Sequence, residues 1–125
     1  MILGVGVDIV KIERFAGLSA KPRFMKKVFS PQEQEYLQSK GAAATASMAG
    51  IFAAKEAVAK ALSTGFREFL PCDIEIVQTP HGKPYVILHN KAKTLLDKFN
   101  KSNIGIEISI SHSETDAIAF AIVQG

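Results

Sequence analysis

The chain opens with a nearly unbroken apolar run, Ile2 to Val10, in which Asp8 is the only charge. That pattern predicts a strand covered on both faces. Ile12 to about Leu18 reads as a short helix, and Lys21 to Val28 as a basic turn or helix. Ser30-Pro31-Gln32-Glu33 then carries the marks of a helix start, with Ser as N-cap, Pro in the first turn and Glu three residues on. This helix is expected to reach about Lys40 and stop at Gly41. An alanine-rich helix follows from about Ala43 to Ser63, weakened at Gly50 by about 1 kcal/mol relative to Ala, so that close packing is expected there. Thr64-Gly65 ends it. Period-two patterns take over in Asp73 to Gln78 and Tyr85 to Leu88, with residues 79–84 as the loop of a hairpin. Lys91 to Asn100 is amphipathic, with Ala92, Leu95, Leu96 and Phe99 at helical spacing. Ile106 to Ser111 and Ala117 to Val123 read as the last two strands, joined by His112 to Asp116. These elements predict an α+β fold, a mainly antiparallel sheet packed on one long helix plus shorter helices.

The strand at Ala117 to Val123 is apolar on both faces, as is much of the first strand. In a chain of 125 residues such strands need cover on both sides, which a neighbouring subunit can provide. The length suits one domain, residues 1–125, with a real core. Hydrophobic residues make up 47% and charged residues 22%, the balance of a soluble globular protein. The longest apolar run, Ala117 to Val123, is far too short to span a bilayer. The start does not resemble a signal peptide, because Asp8 interrupts the apolar stretch and no basic residue precedes it. The single cysteine, Cys72, excludes an internal disulfide and a zinc cluster of cysteines, and a cytoplasmic location is the default expectation. Charge is unevenly placed. Between Lys11 and Lys27 six basic residues face only Glu13, so this segment is +5 while the whole chain is +3. Such a patch suits an acidic partner, although a solvated helical surface has the same composition.

Candidate chemistry centres on the alanine-rich helix. At 100° per residue Met48, Ile51, Phe52, Val58, Ala59 and Leu62 share one apolar stripe. Glu56 lies at its rim with Lys60 one turn on, and Lys55 points into the stripe itself, where an unpaired ammonium is costly. Read alone, Glu56 and Lys60 also fit an ordinary surface ion pair, and Lys55 could snorkel outward. Asp8 changes this picture, because a carboxylate in a buried strand must be paired, hydrogen-bonded or metal-bound. A helix cap or a lysine partner would satisfy it, and so would a divalent ion. One carboxylate from a strand, one from a helix and lysines beside them suit Mg²⁺ holding a phosphate.

Gly6-Val7-Asp8-Ile9, Phe52-Ala53-Ala54-Lys55-Glu56-Ala57-Val58-Ala59-Lys60 and Ser111-His112-Ser113, in this order and spacing, resemble the bacterial holo-[acyl-carrier-protein] synthases of the phosphopantetheinyl transferase family. Phe29-Ser30 with Glu33, Ser63-Thr64-Gly65 and Gly82-Lys83-Pro84 also resemble family positions. The resemblance implies Mg²⁺-dependent transfer of 4′-phosphopantetheine from coenzyme A to a serine of apo acyl-carrier protein, releasing adenosine 3′,5′-bisphosphate and serving fatty acid biosynthesis. It further implies a homotrimer with active sites at subunit interfaces. Carried onto this chain, Asp8 and Glu56 hold the metal, and Lys60 binds the phosphates. Gly65, Pro84 and His112 join Lys60 around coenzyme A. Arg14, Lys21, Arg23 and Lys26 face the acidic carrier protein. Glu56 is the first choice for the group that takes the serine proton, and Asp8 the second.

Two positions depart from the pattern. The Arg that many relatives carry before the helix aromatic, where it helps bind a coenzyme A phosphate, is Ile51 here, and the Gly usual ahead of Thr-Gly is Ser63. Both bear on how the nucleotide is held. Two other function classes compete. One is a non-enzymatic basic module that binds nucleic acid through Lys11 to Lys27, against which stand the lack of Trp and of any stacking motif. The other is a different Mg²⁺-dependent phosphohydrolase.

Overall fold

The computed structural model describes residues 1–62 and 69–125. Strand β1 (Ile2–Lys11) is followed by 3-10 turns at Ile12–Phe15 and Leu18–Ala20, helices α1 (Pro22–Val28) and α2 (Pro31–Gln38), and the long helix α3 (Ala44–Ala61). The chain continues through β2 (Ile74–Gln78), β3 (Pro84–Leu88), the short helix α4 (Asn90–Thr94) with a 3-10 extension at Leu95–Phe99, and strands β4 (Gly105–His112) and β5 (Asp116–Gln124). The strands form two antiparallel sheets, one ordered β1-β5-β4 and the other the hairpin β2-β3. The expected helix at Ile12 to Leu18 is only a 3-10 turn as far as Phe15, because Gly17 takes a left-handed conformation (φ 78°) that helices do not continue through. The expected Lys91 to Asn100 helix tightens to 3-10 from Leu95.

Strand alternation sends Gly4, Gly6, Asp8 and Val10 to one face of the three-stranded sheet, in register with Ala117, Ala119 and Ala121 of β5 and beyond them Ile108 and Ile110 of β4. Helix α3 lies across this face, and the small residues let it sit close. A Cβ at Gly6 would stand 1.9 Å from the Ala57 carbonyl oxygen, and one at Gly4 would stand 2.0 Å from that of Ala61. Only glycine allows a strand and a helix backbone to approach so nearly. This contact seats the C-terminal half of α3 directly over β1. Farther back along the helix, Gly50 meets the side chain of Ile110, the close packing its position predicted. Met48, Ile51, Val58 and Leu62 are buried, with Phe15 and Val28 in the same core.

The opposite face of this sheet carries Val5, Val7 and Ile9 of β1 paired with Ile122, Phe120 and Ile118 of β5. Ile9 is 64% exposed and Phe120 43%. Among the described residues the first strand is therefore covered on one face only.

Candidate active site

The β1–α3 contact brings Asp8 under the last turns of the helix. Lys60 Nζ donates to the Val7 carbonyl at 2.9 Å and to Asp8 Oδ1 at 3.1 Å. Asp8 Oδ2 is buried and has no hydrogen-bond partner among the described residues, an arrangement that is costly unless a ligand completes it. Glu56, one helical turn before Lys60, is half-buried. Its carboxyl group is pushed up from its ordinary value, first by desolvation and next by the charge of Asp8, while Lys60 and Arg14 pull the other way. The two carboxylates are thus close enough to repel each other across a partly dry site.

The donor set fits Mg²⁺. Two carboxylates with one orphaned oxygen, open to solvent on the Lys60 side, leave coordination positions for water and phosphate oxygens, the usual way this hard cation is held. No group of three or more His, Cys, Asp or Glu side chains able to hold a metal exists among the described residues, so a protein-only cage of the zinc kind is not built here.

Lys55 takes no part in this cluster. It is fully buried, and its Nζ donates to Glu33 Oε1 at 2.8 Å, to the Pro71 carbonyl at 3.1 Å and to the Ile74 carbonyl at 2.5 Å. It neither snorkels outward nor joins Asp8 and Glu56. Glu33 in turn accepts from the backbone N–H groups of Ser30 and Ile76, closing the capping box of α2. Desolvation raises the Glu33 carboxyl and lowers the Lys55 ammonium, each offset by the other's charge. Next to this pair Glu75 accepts from the Ser30 hydroxyl at 2.6 Å and contacts His89 Nε2 at 3.0 Å. Sequence reasoning found neither partner. A lysine inside an apolar stripe demands a buried carboxylate, but nothing in the spacing says that it lies 22 residues earlier.

The remaining candidates fall elsewhere. Pro84 and His112 line a second groove, with Gly82, Gly50 and Ile51. Gly50 and Lys60 are ten residues apart on α3, or about 15 Å at 1.5 Å per residue, so this groove and the carboxylate cluster lie toward opposite ends of the helix. Gly65 lies outside the described residues, as do the neighbouring Ser63 and Thr64. Arg14 sits over the Phe15 ring at 5.7 Å and contributes its charge to Glu56. Lys21, Arg23 and Lys26 are exposed along the start and flank of α1.

The long helix is thus clamped on a glycine-bearing strand, and two carboxylates meet beside a lysine at that contact. Comparison with known proteins assigns the family. The model of the 4′-phosphopantetheinyl transferase superfamily matches residues 4–121, and the chain belongs to that family. It is 46% identical over 123 residues to the holo-[acyl-carrier-protein] synthase of Fusobacterium nucleatum, covering 98% of this chain and 99% of the relative. Among solved structures, Helicobacter pylori holo-[acyl-carrier-protein] synthase in complex with coenzyme A superposes with a TM-score of 0.79 at 35% identity, covering 96% of this chain and 99% of that one. The holo-(acyl-carrier-protein) synthase of Bacillus anthracis in complex with coenzyme A (3′,5′-ADP) gives 0.78 at 32% identity, covering 98% and 96%. No helix among the described residues is long and apolar enough to cross a membrane.

Proposed function

We propose that this protein transfers 4′-phosphopantetheine from coenzyme A to a serine of apo acyl-carrier protein, releases adenosine 3′,5′-bisphosphate, and thereby supports fatty acid biosynthesis in the cytoplasm. The observation that carries this reading is the orphaned Asp8 Oδ2 beside a Glu56 carboxyl whose proton affinity that same charge raises. Mg²⁺ held by Asp8 and Glu56 would polarise the pyrophosphate and offset the charge that builds on the leaving group. The chain's own residues supply the rest. Lys60, whose side chain is 52% exposed, exchanges its contact with Asp8 for the departing phosphate and stabilises it as a point charge. Glu56 removes the proton from the serine hydroxyl as the new O–P bond forms and the bond to the adenosine 5′-phosphate breaks. Burial and the charge of Asp8 raise its proton affinity, the direction a general base needs.

Within one chain the coenzyme-contacting residues are divided between the two ends of α3, and one face of the sheet is a bare apolar surface. Both facts support a homotrimer in which the groove of one subunit, with Pro84 and His112, completes the carboxylate site of the next. The exposed basic side chains of Arg14, Lys21, Arg23 and Lys26 steer an acidic carrier protein, chiefly by raising its association rate in a salt-sensitive way. The decisive experiment incubates the protein with coenzyme A, Mg²⁺ and apo carrier protein and reads the carrier's mass. An increase of about 340 Da, the arm moved in this phosphoryl-transfer reaction, is expected. A carrier unchanged here but modified by an authentic synthase refutes the reading.

A further inference from the structure

A pocket of about 410 Å³ lies between α1, α2 and the first turns of α3. That volume is at the lower end of the range for small-molecule sites, about 300–1,000 Å³. Met25, Leu37 and Met48 wall it, one from each helix, and are themselves buried. Pro22 and Ala44 complete its apolar lining. Two methionines let the walls adapt to an unbranched guest, because the thioether chain is flexible and polarisable. The polar lining groups, Ser19, Gln34 and Gln38, are uncharged. Gln34 is already engaged, its Nε2 donating to the Phe29 carbonyl at 3.0 Å and to that of Met25 at 3.4 Å. The pocket shares no lining residue with the groove around Pro84 and His112, and none of Asp8, Glu56 and Lys60 lines it.

Charge beside the pocket is of one sign. No carboxylate lines it, and the exposed Lys21, N-cap of α1, immediately precedes the lining residue Pro22. Lys26 follows Met25 in the same helix. An apolar pocket with cations at its edge complements a chain that ends in an anion. Its modest volume suits one unbranched chain better than the two of a membrane lipid. We propose that this pocket binds a free single-chain fatty acid, with its methylenes against Met25, Leu37 and Met48 and its carboxylate at Lys21. There it competes with the acidic carrier protein for that cation. The competition rests on the transferase reading above; the binding does not.

Calorimetry with octanoate, decanoate and dodecanoate, each below its micelle concentration, tests the binding on the full chain without coenzyme A. Affinity should rise about fourfold per added methylene, the factor that burying one CH₂ supplies. Lys21→Met should weaken decanoate binding about threefold, within the range of an exposed ion pair, and Lys21→Arg should restore it. Ala44→Leu puts a good helix former at a half-exposed position and fills the pocket. It should abolish decanoate binding and leave the KM for the carrier unchanged. In the transfer assay saturating decanoate should raise the parent's KM for the carrier severalfold, with kcat unchanged, and should not affect Ala44→Leu. No binding, affinity independent of chain length, or equal binding by Ala44→Leu overturns the proposal. A raised carrier KM in Ala44→Leu without fatty acid means that a carrier side chain fills the pocket instead, and overturns it too. Decanoate that binds but leaves the parent's carrier KM unmoved refutes the competition. If the parent transfers nothing, the transferase reading fails, while calorimetry still decides the binding.

Discussion

Asp8 keeps one carboxylate oxygen paired with Lys60 and the other buried without a partner among the described residues, so an uncharged replacement of the same shape removes the charge offered to the proposed metal and little else. Asp8→Asn and Glu56→Gln should each lower carrier modification by roughly a hundredfold or more, the scale expected when transition-state charge loses its stabiliser. Their unfolding temperatures without metal should stay near that of the parent. Adding Mg²⁺ with coenzyme A should raise the parent's Tm and leave both variants unmoved, because a ligand stabilises only what it binds. Thermal scans with and without metal check this independently of turnover. Either variant retaining near-parental activity would remove the metal assignment.

At the scale of elements, the Lys55–Glu33 pair bolts α3 to the start of α2 and to the residues leading into the hairpin. Lys55→Met should cost about 3–5 kcal/mol, because it strands Glu33 in a dry site; urea unfolding measures it. Glu75 contributes to the acid sensitivity of this scaffold. Burial pushes its carboxyl up, but the Ser30 hydroxyl, the His89 ring and the Lys55 charge outweigh that and hold it below the ordinary glutamate range. A depressed carboxyl contributes stability that is present above its unfolded value and lost as pH falls through the folded one. Parent and Glu75→Gln should therefore differ most in stability above the ordinary glutamate value of about 4.3 and converge as pH falls through the depressed folded value. Much of this scaffold was legible beforehand. The capping residues at Ser30 and Glu33 and the apolar periodicity of α3 located the helices to within a few residues, and alternation located the strands. Long-range pairing was not, since the partners of Lys55 and Glu75 are set by packing between distant elements. Asp73 to Gln78 read as alternating acidic and apolar, yet Glu75 is buried. Two carboxylates meeting at one site could be expected from Asp8's apolar surroundings and the family motif; the separation of Pro84 and His112 from Lys60 along α3 could not.

For the whole molecule, the exposed apolar rows Val5, Val7, Ile9 and Ile118, Phe120 are the surface on which the proposed trimer would close. Phe120→Lys should dissociate the protein into monomers by sedimentation and abolish carrier modification. Mixing Glu56→Gln with Pro84→Glu subunits, each inactive alone, should restore part of the activity if each site draws on two copies, while strictly additive loss would argue against shared sites. The buried lysine has a further consequence. A two-stranded ribbon and an eight-residue helix are too small to hold themselves together in water. Tied through one ammonium to the central helix, they should open with it in one event, giving amide hydrogens in α2, β2 and α3 a common deuterium-exchange free energy.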